Sequence, residues 1–221
     1  MNEEKVLFAW SGGKDSAMAL YELKQIGGYR VVALLTTVTE DYDRVSMHGV
    51  RNVLLEKQAL SLNIPLEKVV ITKDSPDKDY EFKMREALGR HRDVETVCFG
   101  DIFLEDLRKY REDNLAKADM KGLFPLWKKD TRSLARNFMD FGFKAVVTCV
   151  DTQVLDGSFA GRDFDEAFID DLPEGVDPCG ENGEFHSFVY DGPIFRETVQ
   201  LTHGKTVLRE GRFCFCDLDV I

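Results

Sequence analysis

From residue 5 to residue 150 the sequence alternates nearly continuous apolar runs with amphipathic stretches, and few folds accept that alternation. The runs are KVLFAW (5–10), RVVALLTTV (30–38), LEKVVIT (66–72), VETVCFG (94–100), a weaker GLFPLW (122–127) and FKAVVTCV (143–150). Runs without a polar alternate position suit strands buried on both faces, as in parallel sheets. Between them, residues 15–27, 48–62, 77–90, 101–117 and 131–141 show helical periodicity. In the first, Ala19, Leu20, Leu23 and Ile26 form one stripe, which ends at the helix-terminating pair Gly27-Gly28. Strand and helix in strict succession with short links make right-handed βαβ units. The expected fold is therefore α/β, with a doubly wound, mostly parallel sheet.

After about residue 151 the pattern changes. DTQVLDGSFAGRDFDEAFIDDL holds one short helical pattern, and the turn-rich PEGVDPCGENGEF follows it. The tail from Phe185 onward alternates as three or four antiparallel strands would. This divides the chain into residues 1–150 and a smaller α+β region at 151–221, with no repeat or low-complexity linker between them.

Composition narrows the class. Lys and Arg number 29 against 40 Asp and Glu, and the net charge of −11 argues against a broad nucleic-acid surface, which needs clustered cations. No stretch approaches the roughly 18–20 uninterrupted apolar residues of a membrane span. The start, Met1-Asn2-Glu3-Glu4-Lys5, is acidic and reads as neither signal nor transit peptide, so a cytoplasmic location is expected. The five cysteines include no Cys-x-x-Cys pair, which indicates neither a zinc ribbon nor a dithiol redox site.

The first apolar run leads into Ser11-Gly12-Gly13-Lys14-Asp15-Ser16. A Gly-Gly turn lets backbone N–H groups approach a ligand closely, and the helix behind it presents its positive end. Ser11 and Ser16 add hydroxyl donors and Lys14 a charge, at the carboxyl edge where open α/β sheets bind ligands. The stretch is built to hold an anion, most simply a phosphate chain. Its spacing matches neither the Walker A pattern nor Gly-x-Gly-x-x-Gly.

Ser11 to Ser16 resembles the PP-loop of the adenine-nucleotide α-hydrolase-like ATPases, and the whole chain resembles the diphthine–ammonia ligase family within them. The supporting residues are SMHG (46–49), FGDI (99–102), FPLW (124–127), LDGSFAGR (155–162), and CGENGEF (179–185) with HSFVYDGP after it. The family pattern reads Gly-Ala where this chain has Gly100-Asp101, and Gly-Glu-Gly-Gly-Glu where it has Gly180-Glu181-Asn182-Gly183-Glu184. The resemblance implies a Rossmann-like nucleotide domain at 1–150 and a substrate-binding region at 151–221. It implies ATP and Mg²⁺ as cofactors, and cleavage between the α and β phosphates.

Several residues outside the loop have two readings. Thr36 ends the second strand at the edge where PP-loop folds meet adenine, largely through backbone groups. His48 either stacks near the base or is a solvated helix-start residue. Gly100 permits close approach of a nucleotide, and Asp101 either binds Mg²⁺ or caps a helix. Asp156 and Arg162 belong to the acceptor pocket by resemblance; by sequence alone they are an Asp turn and a surface arginine. Gly180, Glu181, Asn182, Gly183 and Glu184 are either a solvated turn or a frame that positions Mg²⁺ or an ammonium nucleophile. Cys179 reads as a buried thiol, since no partner histidine is identifiable.

The function expected is an AMP-forming carboxylate–ammonia ligase, with Lys14, Glu181 and Glu184 as catalytic residues and diphthine on elongation factor 2 as the acceptor the family implies. No glutaminase domain is visible, so free ammonia or an external donor is required. Two other classes compete. An RNA-modifying PP-loop enzyme would show salt-sensitive tRNA binding, against the acidic balance and the missing Cys-x-x-Cys. A nucleotide-binding module would bind ATP or AMP without turnover. Under either nucleotide reading Lys14→Ala is expected to weaken ATP binding and leave the thermal transition almost unchanged. The β-rich tail, with Phe213 and Phe215, offers a homodimer face.

Overall fold

The computed structural model describes residues 3–40, 44–45, 49–72 and 77–221. Five parallel strands form the first sheet: β1 (Glu4–Ala9), β2 (Tyr29–Thr39), β4 (Leu66–Ile71), β5 (Thr96–Cys98) and β6 (Lys121–Leu123). Their order is β4-β2-β1-β5-β6, and a two-residue β3 (Arg44–Val45) pairs antiparallel with the end of β2. The order reverses at β1, so the chain leaves β1 into α1 (Lys14–Ile26) at the switch point where doubly wound sheets bind ligands.

Alternation along β1 assigns the helices to faces. Val6 and Phe8 pack with Ala17, Leu20 and Leu23 of α1 and Leu54 and Leu55 of α2 (Asn52–Leu62). Leu7 lies on the other face, in a cluster with Ala87 and Leu88 of α3 (Asp77–Gly89) and Leu115 of α4 (Glu105–Ala116). The doubly wound layer expected from the apolar runs is thus present.

A second sheet is antiparallel, in the order β8-β7-β10-β9: β7 (Lys144–Asp151), β8 (Phe185–Asp191), β9 (Leu201–Arg209) and β10 (Phe213–Val220). The run at 143–150 was expected in the parallel sheet, and here it is a central strand of the antiparallel one. A continuous apolar run reports burial on both faces, not strand direction, and β7 is buried from Ala145 to Asp151. The strand that ends at the expected boundary therefore belongs with the C-terminal sheet. Packed beside it are α5 (Thr131–Asp140), a short 3₁₀ turn (Gly157–Phe159) and α6 (Glu166–Asp170).

Phe159, Phe164, Phe168 and Phe185 stack edge-on or tilted, with centroids 5.1–6.1 Å apart, and Phe168 is fully buried. That aromatic core is continuous with the α1 face of the first sheet, so the two sheets are held as neighbours. Val189 N of β8 donates to Gly12 O at 2.9 Å, which ties the second sheet directly to the β1–α1 turn. Phe213 and Phe215 are half-buried within the chain, and Phe215 lies against Gly49.

Candidate functional site

No side chain caps the N-terminus of α1; Gly13 occupies the cap position. Within the turn, Gly13 N donates to Ser11 Oγ at 3.3 Å, and Ser16 Oγ donates to Gly13 O at 2.8 Å. Gly12 has φ +80°, and a Cβ there would stand 2.6 Å from Leu55 Cδ2 and 2.8 Å from Gln58 Oε1. Glycine is thus required both by conformation and by space.

Lys14 is only 3% exposed. Its Nζ contacts both oxygens of Asp15 at 2.8 Å, donates to Cys179 O, and lies 5.4 Å from the Phe185 ring centre. Burial works against its charge, but Asp15, with Cys179 and Glu181 adding to it, more than offsets this and holds the ammonium above its ordinary range. Its backbone N–H donates to Ser187 Oγ on β8 at 3.2 Å.

The polar stretch Asp177–Glu184 folds over this turn. Asp177 Oδ2 accepts from Glu181 N at 2.9 Å, and Gly180 N donates to Asp177 O at 2.8 Å. Glu181 Oε1 then accepts from Ile102 N at 2.7 Å and from Phe103 N at 3.4 Å, just past the end of β5. Burial, reinforced by Asp15, pushes the Glu181 carboxyl up to about 7, against the pull of those backbone donors and Lys14. His186 also faces the site; burial and then Lys14 push its imidazole down to about 4, so it is neutral at pH 7.

These groups line one cavity of about 480 Å³. Ser11, Gly13, Lys14, Asp15, Ser16, Thr36, Gly100, Asp101, Gly180, Glu181 and Gly183 all reach it. Gly100 makes room for the loop, because a Cβ there would lie 3.0 Å from the Asp15 carbonyl and Ser16 N. Thr36 Oγ1 is buried without a hydrogen-bond partner, a donor available to a bound ligand.

Other expected residues lie elsewhere. Asp156 caps the 3₁₀ turn through Ser158 N, and Arg162 pairs with Asp171 while lying over Phe159; neither lines the cavity. Asn182 and Glu184 serve the turn itself: Glu184 Oε1 accepts from Asp177 N at 3.1 Å and from Asn182 Nδ2 at 2.9 Å. Glu184 therefore does not line the cavity, and the two glycines, not the two carboxylates, set which side chain enters it. His48 lies outside the described residues.

The described residues form no preassembled magnesium cage. Asp101, expected as its ligand, is engaged by Arg111, with Nε 2.7 Å from Oδ2 and Nη2 donating to Oδ1 at 3.1 Å. Among the described residues no group of three or more His, Cys, Asp or Glu side chains converges to hold a metal. Cys179 is buried, its thiol is pushed far above the usual range by burial, and its Sγ contacts Thr131 O, so it is no nucleophile.

Gln58 escapes a reading by motif. Fully buried on α2, it accepts from Trp10 Nε1 at 2.8 Å and donates to Gly12 O at 3.0 Å and Val189 O at 2.6 Å. It bolts the phosphate turn to both neighbours. The only trace in the sequence is a polar residue on the apolar stripe Leu54-Leu55-Gln58-Ala59-Leu62. Gln58→Leu should cost about 1–3 kcal/mol, because it strands the Trp10 indole N–H and removes one bond from each of two carbonyls, of which Gly12 O keeps Val189 N–H. Chemical denaturation checks this, and an unchanged midpoint would contradict the bolt.

A phosphate-type turn at the switch point of a doubly wound sheet, closed over by a loop from a second sheet, defines a nucleotide-binding α/β protein of the PP-loop kind. Residues 4–121 match the diphthamide synthase N-terminal domain, and residues 130–218 match the diphthamide synthase C-terminal domain. The chain belongs to the diphthamide synthase family. It is 28% identical over 234 residues to a diphthine–ammonia ligase of Schizosaccharomyces pombe, covering 96% of this chain and 38% of that protein. It is 24% identical to the diphthine–ammonia ligases of Danio rerio and Homo sapiens, covering 90% of this chain and 86% and 83% of theirs. No helix among the described residues is long and apolar enough to cross a membrane.

Proposed function

We propose that the chain is an ATP-dependent amidoligase that joins ammonia to a substrate carboxylate in the cytoplasm. A carboxylate oxygen attacks the α-phosphorus of ATP, the α–β bridging bond breaks, and pyrophosphate leaves with the electron pair. Ammonia then adds to the acyl carbon, and AMP departs as the amide forms. The observation that carries this reading is the meeting of the Ser11–Ser16 turn and Glu181 in one cavity.

In that scheme Lys14 and the turn's N–H groups stabilise charge on the nucleotide phosphates. Glu181, with its carboxyl at about 7, takes the proton that ammonium must lose before nitrogen can attack. The neutral imidazole of His186 adds no competing positive charge. Magnesium would arrive on the nucleotide phosphates, since among the described residues no group of three or more His, Cys, Asp or Glu side chains converges to hold it alone. The parallel-sheet unit carries the nucleotide, and the C-terminal sheet carries the loop that presents Glu181. The relatives' name makes diphthine the first acceptor to try, on elongation factor 2.

The test is turnover with ATP and ammonium, run with diphthine-bearing elongation factor 2 and with small carboxylic acids. Expected products are AMP, pyrophosphate and an acceptor in which one carboxylate oxygen has become nitrogen. ADP as the nucleotide product, or no carboxylate-dependent exchange of pyrophosphate into ATP, overturns the reading.

A further inference from the structure

Among the described residues three serines line the cavity: Ser11 and Ser16 on the turn, and Ser187 on β8. The two turn serines, expected as donors to a ligand, spend their protons within the turn. Ser16 Oγ donates to Gly13 O at 2.8 Å, and Ser11 Oγ donates to Ser16 Oγ at 3.3 Å. A hydroxyl carries one proton, so this arrangement leaves neither for a phosphate. Ser187 differs. Its Oγ accepts from Lys14 N at 3.2 Å, and its own O–H has no acceptor among the described residues. The residue is only 3% exposed, so a partner for that proton has to come from the cavity.

Strand geometry fixes where this hydroxyl sits. Side chains two apart along a strand share a face, and residues 185, 187 and 189 of β8 meet the turn in succession. Phe185 lays its ring 5.4 Å from Lys14 Nζ, Ser187 reaches Lys14 N, and Val189 N donates to Gly12 O at 2.9 Å. β8 is an edge strand, so its outer side is open to the turn, while its inner side pairs with β7, Val147 opposite Ser187. The serine is thus carried by a paired strand to the N-terminus of α1, where anions bind. An O–H whose oxygen already accepts from an N–H is polarised into a better donor.

We propose that Ser187, although it belongs to the second sheet, is a phosphate-binding residue: its oxygen takes the Lys14 N–H and its proton goes to a phosphate oxygen of the nucleotide. The phosphate site is then completed by the C-terminal sheet and not by the parallel sheet alone. This rests on the nucleotide half of the reading above, and not on the ligation step.

The test compares wild type, Ser187→Ala and Ser187→Cys, each titrated calorimetrically with α,β-methylene-ATP and with adenosine. Cysteine nearly keeps the volume of serine but is a weak donor. Both variants should bind α,β-methylene-ATP about tenfold or more weakly, the size of one hydrogen bond to a charged group, and adenosine as before. Wild-type affinity for the phosphate analogue in either variant overturns the proposal, as does equal weakening of adenosine. Amide hydrogen exchange of Ser187→Ala without nucleotide separates a part in shaping the turn. Exchange should rise at Lys14 N, which loses its acceptor, and stay as in wild type at Gly13 and Ala17, which donate inside the turn. Faster exchange at all three would mean that Ser187 only braces the turn, and overturns the proposal. If the affinity loss is observed but no carboxylate yields AMP, Ser187 stands and the ligase reading falls. If carboxylates yield AMP but Ser187→Ala binds the analogue like wild type, the ligase reading stands and Ser187 falls.

Discussion

Replacing Lys14 by Met is expected to lower AMP formation by about 10²–10³-fold, the loss typical when one preorganised electrostatic contact to a developing charge is removed. The same substitution is expected to destabilise the fold. Lys14 is buried between Asp15, Cys179 O and the Phe185 ring, so its removal leaves a carboxylate without its counter-charge. Breaking such a pair costs several kcal/mol when both members are buried; here about 2–4 kcal/mol is reasonable, since the Asp15 side chain keeps 32% exposure. The sequence, which shows Lys14 only as a charge beside a phosphate turn, predicts almost no change in the thermal transition for Lys14→Ala. The paired substitution Lys14→Met with Asp15→Asn separates the two effects. It should recover most of the midpoint and none of the turnover. Recovery of turnover in the double variant would show that Lys14 serves the fold alone.

What the sequence could disclose follows from which interactions are local. The phosphate turn was legible because the residues that make its signature lie within a few positions of one another: a strand end, two glycines and a helix start. The parallel layer was legible because burial on both faces leaves a continuous apolar run. The same signal misplaced β7, since antiparallel strands buried on both faces read identically, and pairing partners 40 residues away do not show in a run. Gln58 was invisible for a related reason: its three partners come from the residue just after β1, the phosphate turn and β8.

The loop at 177–184 shows where motif reading stops. Two glutamates three residues apart look equivalent in sequence. Turn geometry splits them, sending Glu181 to the backbone beyond β5 and folding Glu184 back onto Asp177 N. Asp101 and Asp156 likewise found partners that a one-dimensional reading could not rank, an arginine of α4 ten residues on in the chain and a backbone N–H two residues ahead.

The strongest pH signature is expected from Glu181. With its carboxyl at about 7, kcat/KM should rise as pH increases through that value and level off above it, as the group becomes able to accept the ammonium proton. Glu181→Gln keeps an oxygen to accept from Ile102 N, so the loop should hold its place while the rising limb vanishes and the plateau falls by about 10²–10⁴-fold. Stability should move the other way. A carboxyl whose folded pKa lies above its unfolded value of 4.5 carries no penalty below pH 4.5, where both states are protonated. Its penalty grows between pH 4.5 and about 7 and is constant beyond. The Gln variant should therefore melt at the wild-type temperature at pH 4 and above it at pH 8. A variant that loses the rate but keeps the wild-type pH limb would take the proton from Glu181 and assign it elsewhere in the cavity. A variant no more stable than wild type at pH 8 would mean that Glu181 is ionised without cost, and so is no base tuned to neutral pH.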